Sequence, residues 1–267
     1  MSRRAMFVAM VVGVGVFGAG HAAGSITDFN NWTLVEDPAD PNFTSSINGP
    51  SQITLSAIGG PVNSGVDIGY QSVNGITPAT STSGFAFDPS QSFSIAVDFN
   101  MSFPTASVGD LGIGFGIGED GDGMNGAGVA LLTRDGLALA FGGAARINDV
   151  NQTPGIIFAT PNLVRSFFVS YNSATGDVVV GVGNTGAASP SATTTFAGIQ
   201  NSWSGGLLMA SFFLRSDGAL GDAWTSGAAD AVFTNFRVLS GTPIEVPSPG
   251  SAALLALSGV IVTRRKR

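Results

Sequence analysis

An all-β, antiparallel sandwich is the fold class this sequence predicts, on three observations. Phe93, Ile95, Val97, Phe99, Met101 and Phe103 set six large apolar side chains at strict period two before Pro104, the pattern of a strand with one buried face. Thirty-eight glycines, with many aromatic and β-branched residues, punctuate short apolar runs. Helical periodicity is nearly absent between the two ends of the chain.

The elements follow in chain order. Upstream of the central strand, residues 32–35, 52–58, 66–70 and 85–87 are short apolar runs, with a polar loop over 36–50. Downstream, residues 111–117, 128–133, 137–141, 155–159, 166–171, 178–182, 193–197 and 207–214 continue the series. Residues 172–177 (NSATGD) read as a hairpin loop and Arg134-Asp135-Gly136 as a tight turn. Val232, Thr234, Phe236 and Val238 repeat the period-two pattern and close the domain before Gly241 and Pro243.

About a dozen such strands favour one sandwich over residues 24–240 rather than two small domains. No fixed-period repeat of the β-helix kind is present. Gly112, Gly114, Gly116 and Gly118 alternate along one strand, which suits close approach of neighbouring strands and not a phosphate loop that opens a helix.

Both ends read as targeting segments. Arg3 and Arg4 precede an apolar run, and Gly20-His21-Ala22-Ala23 offers the small residues a signal peptidase cuts after, so residues 1–23 are expected to be a signal peptide. At the other end, residues 241–250 form a linker carrying Pro247-Ser248-Pro249. Residues 251–267 then hold an apolar stretch ending in Arg264, Arg265, Lys266 and Arg267. The apolar residues 252–262 would span about 16 Å as a helix, roughly half a bilayer core, which makes a weak anchor. The basic cluster stays on the cytoplasmic side and leaves the body outside.

This order of Pro-x-Pro, short hydrophobic helix and terminal basic cluster resembles the PEP-CTERM sorting signals processed by exosortases. The chain departs from that family in having Ser248 where it has Glu. The resemblance implies a transmembrane helix that tethers the chain transiently. It also implies cutting near the Pro-x-Pro by an exosortase-like membrane protease, and release to the cell surface or extracellular matrix of exopolysaccharide-producing bacteria.

Between the two ends the chemistry is narrow. Eighteen carboxylates stand against five arginines (Arg134, Arg146, Arg165, Arg215, Arg237) and no lysine, a net charge of −13 that repels nucleic acid and anionic lipid and attracts cations. The single histidine, His21, lies in the signal region, and cysteine is absent. The mature body therefore lacks a Ser-His-Asp triad, a thiol nucleophile, imidazole or thiolate metal ligands, and disulfides. Its glutamates are Glu36, Glu119 and Glu245, and no Glu-x-Asp-x-Glu strand supplies the pair of carboxyls, about 5–5.5 Å apart, that a retaining glycosidase needs. These absences predict a non-enzymatic protein with no catalytic residues. The alternative is an extracellular glycan hydrolase built on an atypical aspartate pair.

Two clusters are candidate sites. The glycine-rich run 118–126 permits a tight loop able to turn oxygens of Asp120, Asp122 and Asn125 onto calcium. Its spacing is not that of an EF-hand, Leu131 stands where the bidentate glutamate belongs, and the competing reading is a polar turn between strands. Trp203, Asp217, Asp222 and Trp224 offer indole faces and carboxylates of the kind that stack on sugar rings and bond their hydroxyls, against the competing reading of core packing. The order of segments, the aromatic-rich central strand and the closing stretch 231–238 (AVFTNFRV) resemble the concanavalin A-like lectin/glucanase jelly roll. Extracellular polysaccharide is the partner expected on these grounds.

Overall fold

The computed structural model describes residues 26–217 and 222–246. The signal peptide, Pro247, Ser248 and Pro249, the hydrophobic tail and Arg264 to Arg267 lie outside the described residues.

Seventeen strands follow one another among the described residues. The first six are β1 (Thr33–Asp37), β2 (Phe43–Ile47), β3 (Gln52–Ala57), β4 (Asp67–Gln71), β5 (Phe85–Ala86) and β6 (Phe93–Ser102). Then come β7 (Asp110–Gly118), β8 (Gly126–Arg134), β9 (Leu137–Ile147), β10 (Val150–Asn151), β11 (Gly155–Ile157) and β12 (Val164–Asn172). The chain closes with β13 (Asp177–Gly183), β14 (Ala192–Phe196), β15 (Met209–Ser216), β16 (Ala229–Ser240) and β17 (Ile244–Glu245).

Two sheets pack face to face. The front sheet has the order β1-β4-β15-β7-β8-β9-β10, with β11 also on β9, and the back sheet the order β14-β13-β12-β6-β16-β3-β2. The named strand pairs are antiparallel, so the chain is the antiparallel jelly-roll sandwich that its pattern predicted. Asp135 and Gly136 both take positive φ between β8 and β9, as a two-residue hairpin of the right twist requires.

The period-two rule explains the core. Phe93, Ile95, Val97, Phe99 and Met101 of β6 all point between the sheets, where an aromatic lattice has formed. Phe212 stacks on Phe233 at 4.5 Å, Phe99 on Phe167 at 4.2 Å and Phe87 on Phe93 at 4.1 Å, ring contacts that add to the area buried. With no disulfide available, this apolar interior holds the sandwich together.

Four expectations are corrected by the structure. The stretch 36–50 is not all loop, because Phe43–Ile47 forms an edge strand whose one large buried side chain, Phe43, is too weak a signal to read. β9 runs to Ile147, since Gly142 and Gly143 interrupt the apolar run but not the ladder. In β16 the expected buried set is half reversed. Ala229, Ala231 and Phe233 point inward, then a bulge with Asn235 at φ 52° shifts the phase so that Phe236 does too. Finally, the exit segment is no free linker. β17 pairs with β5, the N–H of Val246 donates to the carbonyl of Gly84 at 3.0 Å, and Val246 packs with Val73, Ala86 and Met209.

Candidate functional site

The outer face of the front sheet is where side chains run out. Cross-strand register sets its outward-facing residues in rows that can be read from β1 across to β9. One row runs Asp37, Asp67, Arg215, Gly112, Leu132, Ala140. The next runs Val35, Gly69, Phe213, Gly114, Ala130, Gly142, and Ile156 of β11 lies beside Gly142. A third runs Thr33, Gln71, Ser211, Gly116, Gly128, Ala144. Apart from Leu132, strands β7, β8 and β9 are thus paved with glycine and alanine over an area about 10 Å wide and about 14 Å long.

Packing enforces the paving. A Cβ on Gly69 would stand 2.3 Å from the carbonyl oxygen of Phe212, one on Gly128 2.7 Å from that of Phe115, and one on Gly116 2.8 Å from that of Ala127. Adjacent strands approach too closely here for any side chain. On this floor lies Phe213, whose ring atoms Cζ and Cε1 would be 2.4 and 2.6 Å from a Cβ at Gly114, so the half-buried ring covers the bare strand. Ile156 and Phe158, both largely exposed, extend the apolar area to the sheet edge.

Charge borders the floor at both ends. In the first row Arg215 lies 3.9 Å from Asp67, which faces Asp37 across the β1–β4 ladder, and the side chain of Asp217 reaches over Gly112. Burial pushes the Asp67 carboxyl up to about 6, Arg215 pulls against that rise and Asp37 adds to it. At the opposite end the loop 119–125 folds back over Gln71, and a hollow of about 220 Å³ opens beside Glu119, Asp120 and Ser204.

The expected calcium ligands are turned to other work. Asp120 caps its own loop, accepting from the N–H of Met124 at 2.7 Å and of Asn125 at 3.2 Å. The Oδ1 of Asn125 accepts from the N–H of Asn148 at 2.8 Å, and Asp122 points to solvent. In this arrangement the loop is a turn capped by its own Asp120. Glu119, which lies in the same run but was not among the expected ligands, is the buried centre of this corner. It accepts from the N–H groups of Gly206 and Ser204, both at 2.7 Å, and from the Asn125 amide at 3.2 Å.

The expected sugar-stacking residues divide. Trp224 is fully buried with its indole N–H donated to the Gly59 carbonyl at 2.7 Å, and Trp203 is nearly so with its N–H on the Arg146 carbonyl at 3.0 Å. Both are corrected to core residues, their rings enclosed by the sandwich. Asp217 does border the paved floor, whereas Asp222 sits in an exposed loop and its backbone pairs with Asp110. Asp110 is clamped by Arg134 through two bonds of 2.7 and 2.8 Å, which hold its carboxyl below the usual range.

No protein-family model matches the sequence, and no curated protein does. Solved structures are similar to it in fold. The alginate lyase from Klebsiella pneumoniae matches with a TM-score of 0.48 at 10% identity, over 80% of this chain and 97% of that one. A Bacillus licheniformis β-glucanase matches with 0.46 at 12%, over 80% and 97%, and a winged bean acidic lectin with 0.41 at 13%, over 78% and 94%. The class that the two sheets themselves define is the antiparallel jelly-roll sandwich. The expectation of a non-enzymatic protein is corrected here, because chains of this fold include a lyase and a glucanase as well as lectins. The missing histidine and cysteine do not decide the matter.

Proposed function

We propose that this is an exported protein that binds extracellular polysaccharide on the paved face of its front sheet. In this reading signal peptidase removes the N-terminal segment, and the tail tethers the chain at the membrane. An exosortase-like membrane protease then cuts near Pro247-Ser248-Pro249 and the body passes to the cell surface or matrix. The observation that carries the binding reading is Phe213 lying on Gly114 in the middle of a floor without side chains. A sugar ring set on that floor meets an aromatic face and strand backbone, with Ser211 and Asp217 at hand for its hydroxyls.

Cleavage of the bound chain is a second reading, favoured by Asp37 and Asp67. They are cross-strand partners on that same face, and Asp67 has a proton affinity suited to a general acid near neutral pH. One experiment tests both readings. The purified full-length protein is run against a glycan panel with retention and reducing-end release measured together. Retention that Phe213→Ala weakens about tenfold supports the binding face, and loss of an aromatic contact accounts for that magnitude. Release abolished by Asp67→Asn supports cleavage, and a protein that neither retains nor cuts any glycan sinks both.

A further inference from the structure

We infer that the polysaccharide accepted by the paved face carries no net negative charge. This rests on the binding reading above and adds the chemical class of the ligand. Glycans rich in uronate or sulfate are held chiefly by guanidinium and ammonium groups, because an anion moved from water against protein needs a cation or several N–H donors to replace its hydration. Neither is offered here.

Lysine is absent between residues 24 and 246, and each of the five arginines there is already engaged. Arg134 is clamped on Asp110, Arg146 on Asp149 and Arg237 on Asp98, while Arg165 donates to the side-chain oxygen of Asn184. Arg215 borders the floor at its charged end and is shared with Asp67, while Arg134 and Arg146, one row beyond Leu132 and Ala144, are turned onto Asp110 and Asp149. A uronate that reached Arg215 would also meet Asp37 and Asp217.

The floor itself adds no donors. Gly112, Gly114 and Gly116, with Gly128 and Ala130 opposite them, are in interior strands whose backbone N–H groups are taken up by the ladders on either side. Contact over these residues is limited to C–H surface and the Phe213 ring, with the Ser211 hydroxyl beside Gly116 for a sugar hydroxyl, which suits an uncharged sugar. The net charge of −13 works in the same direction at longer range, since it lowers the local concentration of any polyanion.

The test is affinity electrophoresis of the full-length protein through gels holding uncharged polymers (a β-1,4-glucan, a β-1,3-glucan, a galactomannan) or anionic ones (alginate, polygalacturonate), at low and at physiological salt. Retardation by at least one uncharged polymer is expected, changing less than about twofold with salt because no ion pair is screened. Phe213→Ala should weaken it about tenfold, and Ala144→Arg should bring in the polyuronates by adding a cation to the floor. Preferential, salt-sensitive retardation by alginate or polygalacturonate that Phe213→Ala removes would overturn the inference and leave the binding face standing. Retardation by an uncharged polymer that Phe213→Ala leaves unchanged, or by no polymer at all, overturns the binding face and the inference with it.

Discussion

On the back sheet Asp98 accepts from the Ser166 hydroxyl, the Asn235 amide at 2.8 Å, the Arg237 guanidinium at 2.8 Å and the Gly186 N–H at 3.2 Å. On the front sheet Asp67 has Arg215 3.9 Å away, a weaker pull from Arg146, and a second carboxylate opposite it. Both aspartates point away from the core, and both have an arginine for company. Burial would raise the Asp98 carboxyl, yet its hydrogen bonds outweigh burial and hold it below the ordinary range, whereas burial prevails at Asp67. The number of donors on a carboxylate withdrawn from water, more than the presence of a cation, decides which way it moves. Where several donors converge on the carboxylate, as at Asp98, the polar groups serve the structure, and where they do not, as at Asp67, the carboxylate keeps its proton more tightly.

The sharpest way to break this comparison is to remove the saturated carboxylate. Asp98→Ala strands Arg237, Asn235 and Ser166 beneath the loop 184–191, and should lower stability by about 3–5 kcal/mol, the range for breaking one partner of a buried pair. Urea denaturation at pH 7 measures it. Asp67→Ala under the same conditions should cost far less, and equal losses would mean that the two sites do not differ in kind.

Titration separates them by sign. Asp67 binds its proton more tightly folded, with a value of about 6, than at the ordinary value of 3.8. Its contribution is full below about 3.8 and fades as pH rises through about 6. Stability should therefore fall by about 2–3 kcal/mol between pH 4 and pH 7 on its account, and Asp67→Asn should flatten that slope. Asp98 acts in the opposite sense. Its folded value is depressed, so its contribution is present above 3.8 and is lost only as pH falls through that lower value. A stability curve for Asp67→Asn that still declines from pH 4 to pH 7 would assign the slope elsewhere.

How much of this was legible follows from what periodicity can carry. The period-two run of β6 gave the central strand almost to the residue, because every second side chain there is large and buried. The same rule misjudged the first half of β16, since a bulge at Asn235 reverses the inward set and no composition signal announces it. Alternating glycines were readable as close strand approach, and Gly116 and Gly128 confirm it through the backbone oxygens they abut. The paved floor was not readable, because β7, β8 and β9 follow one another while β15 comes much later in the chain, and Phe213 gains its place only from the β15–β7 register. Tryptophan drew attention as a sugar-stacking residue, while the sandwich used Trp224 and Trp203 for packing. Asp67 carried no signal, as its proton affinity comes from burial and from a partner thirty residues upstream.

A smaller effect is expected at the rim. Glu119→Gln leaves the side chain one accepting oxygen for the donors from Gly206, Ser204 and Asn125, and should cost about 1–2 kcal/mol through the loss of charge-assisted bonds. Local amide exchange at residues 204 and 206 should speed up in step, and unchanged protection there would show that the corner is held by something other than Glu119.

The smallest effect concerns the glycine-rich loop beside it, where a cation and a self-capped turn make different predictions. Asp120 has both oxygens committed to the backbone N–H groups of Met124 and Asn125, and Asn125 has its oxygen on the N–H of Asn148. A cation would have to displace these bonds and find further oxygens, of which the exposed Asp122 is one. Millimolar calcium should therefore raise Tm no more than sodium chloride of the same ionic strength, both acting by screening a body with a net charge of −13. Asp120→Asn should cost about 0.5–1 kcal/mol as a weakened cap, by the same amount with and without calcium. A bound ion would instead stabilise the fold by RT ln(1 + [L]/Kd), about 2.7 kcal/mol at a hundredfold excess over Kd, and that increment would vanish in Asp120→Asn. Such a calcium-specific increment would restore the metal site and show that the loop opens to make it.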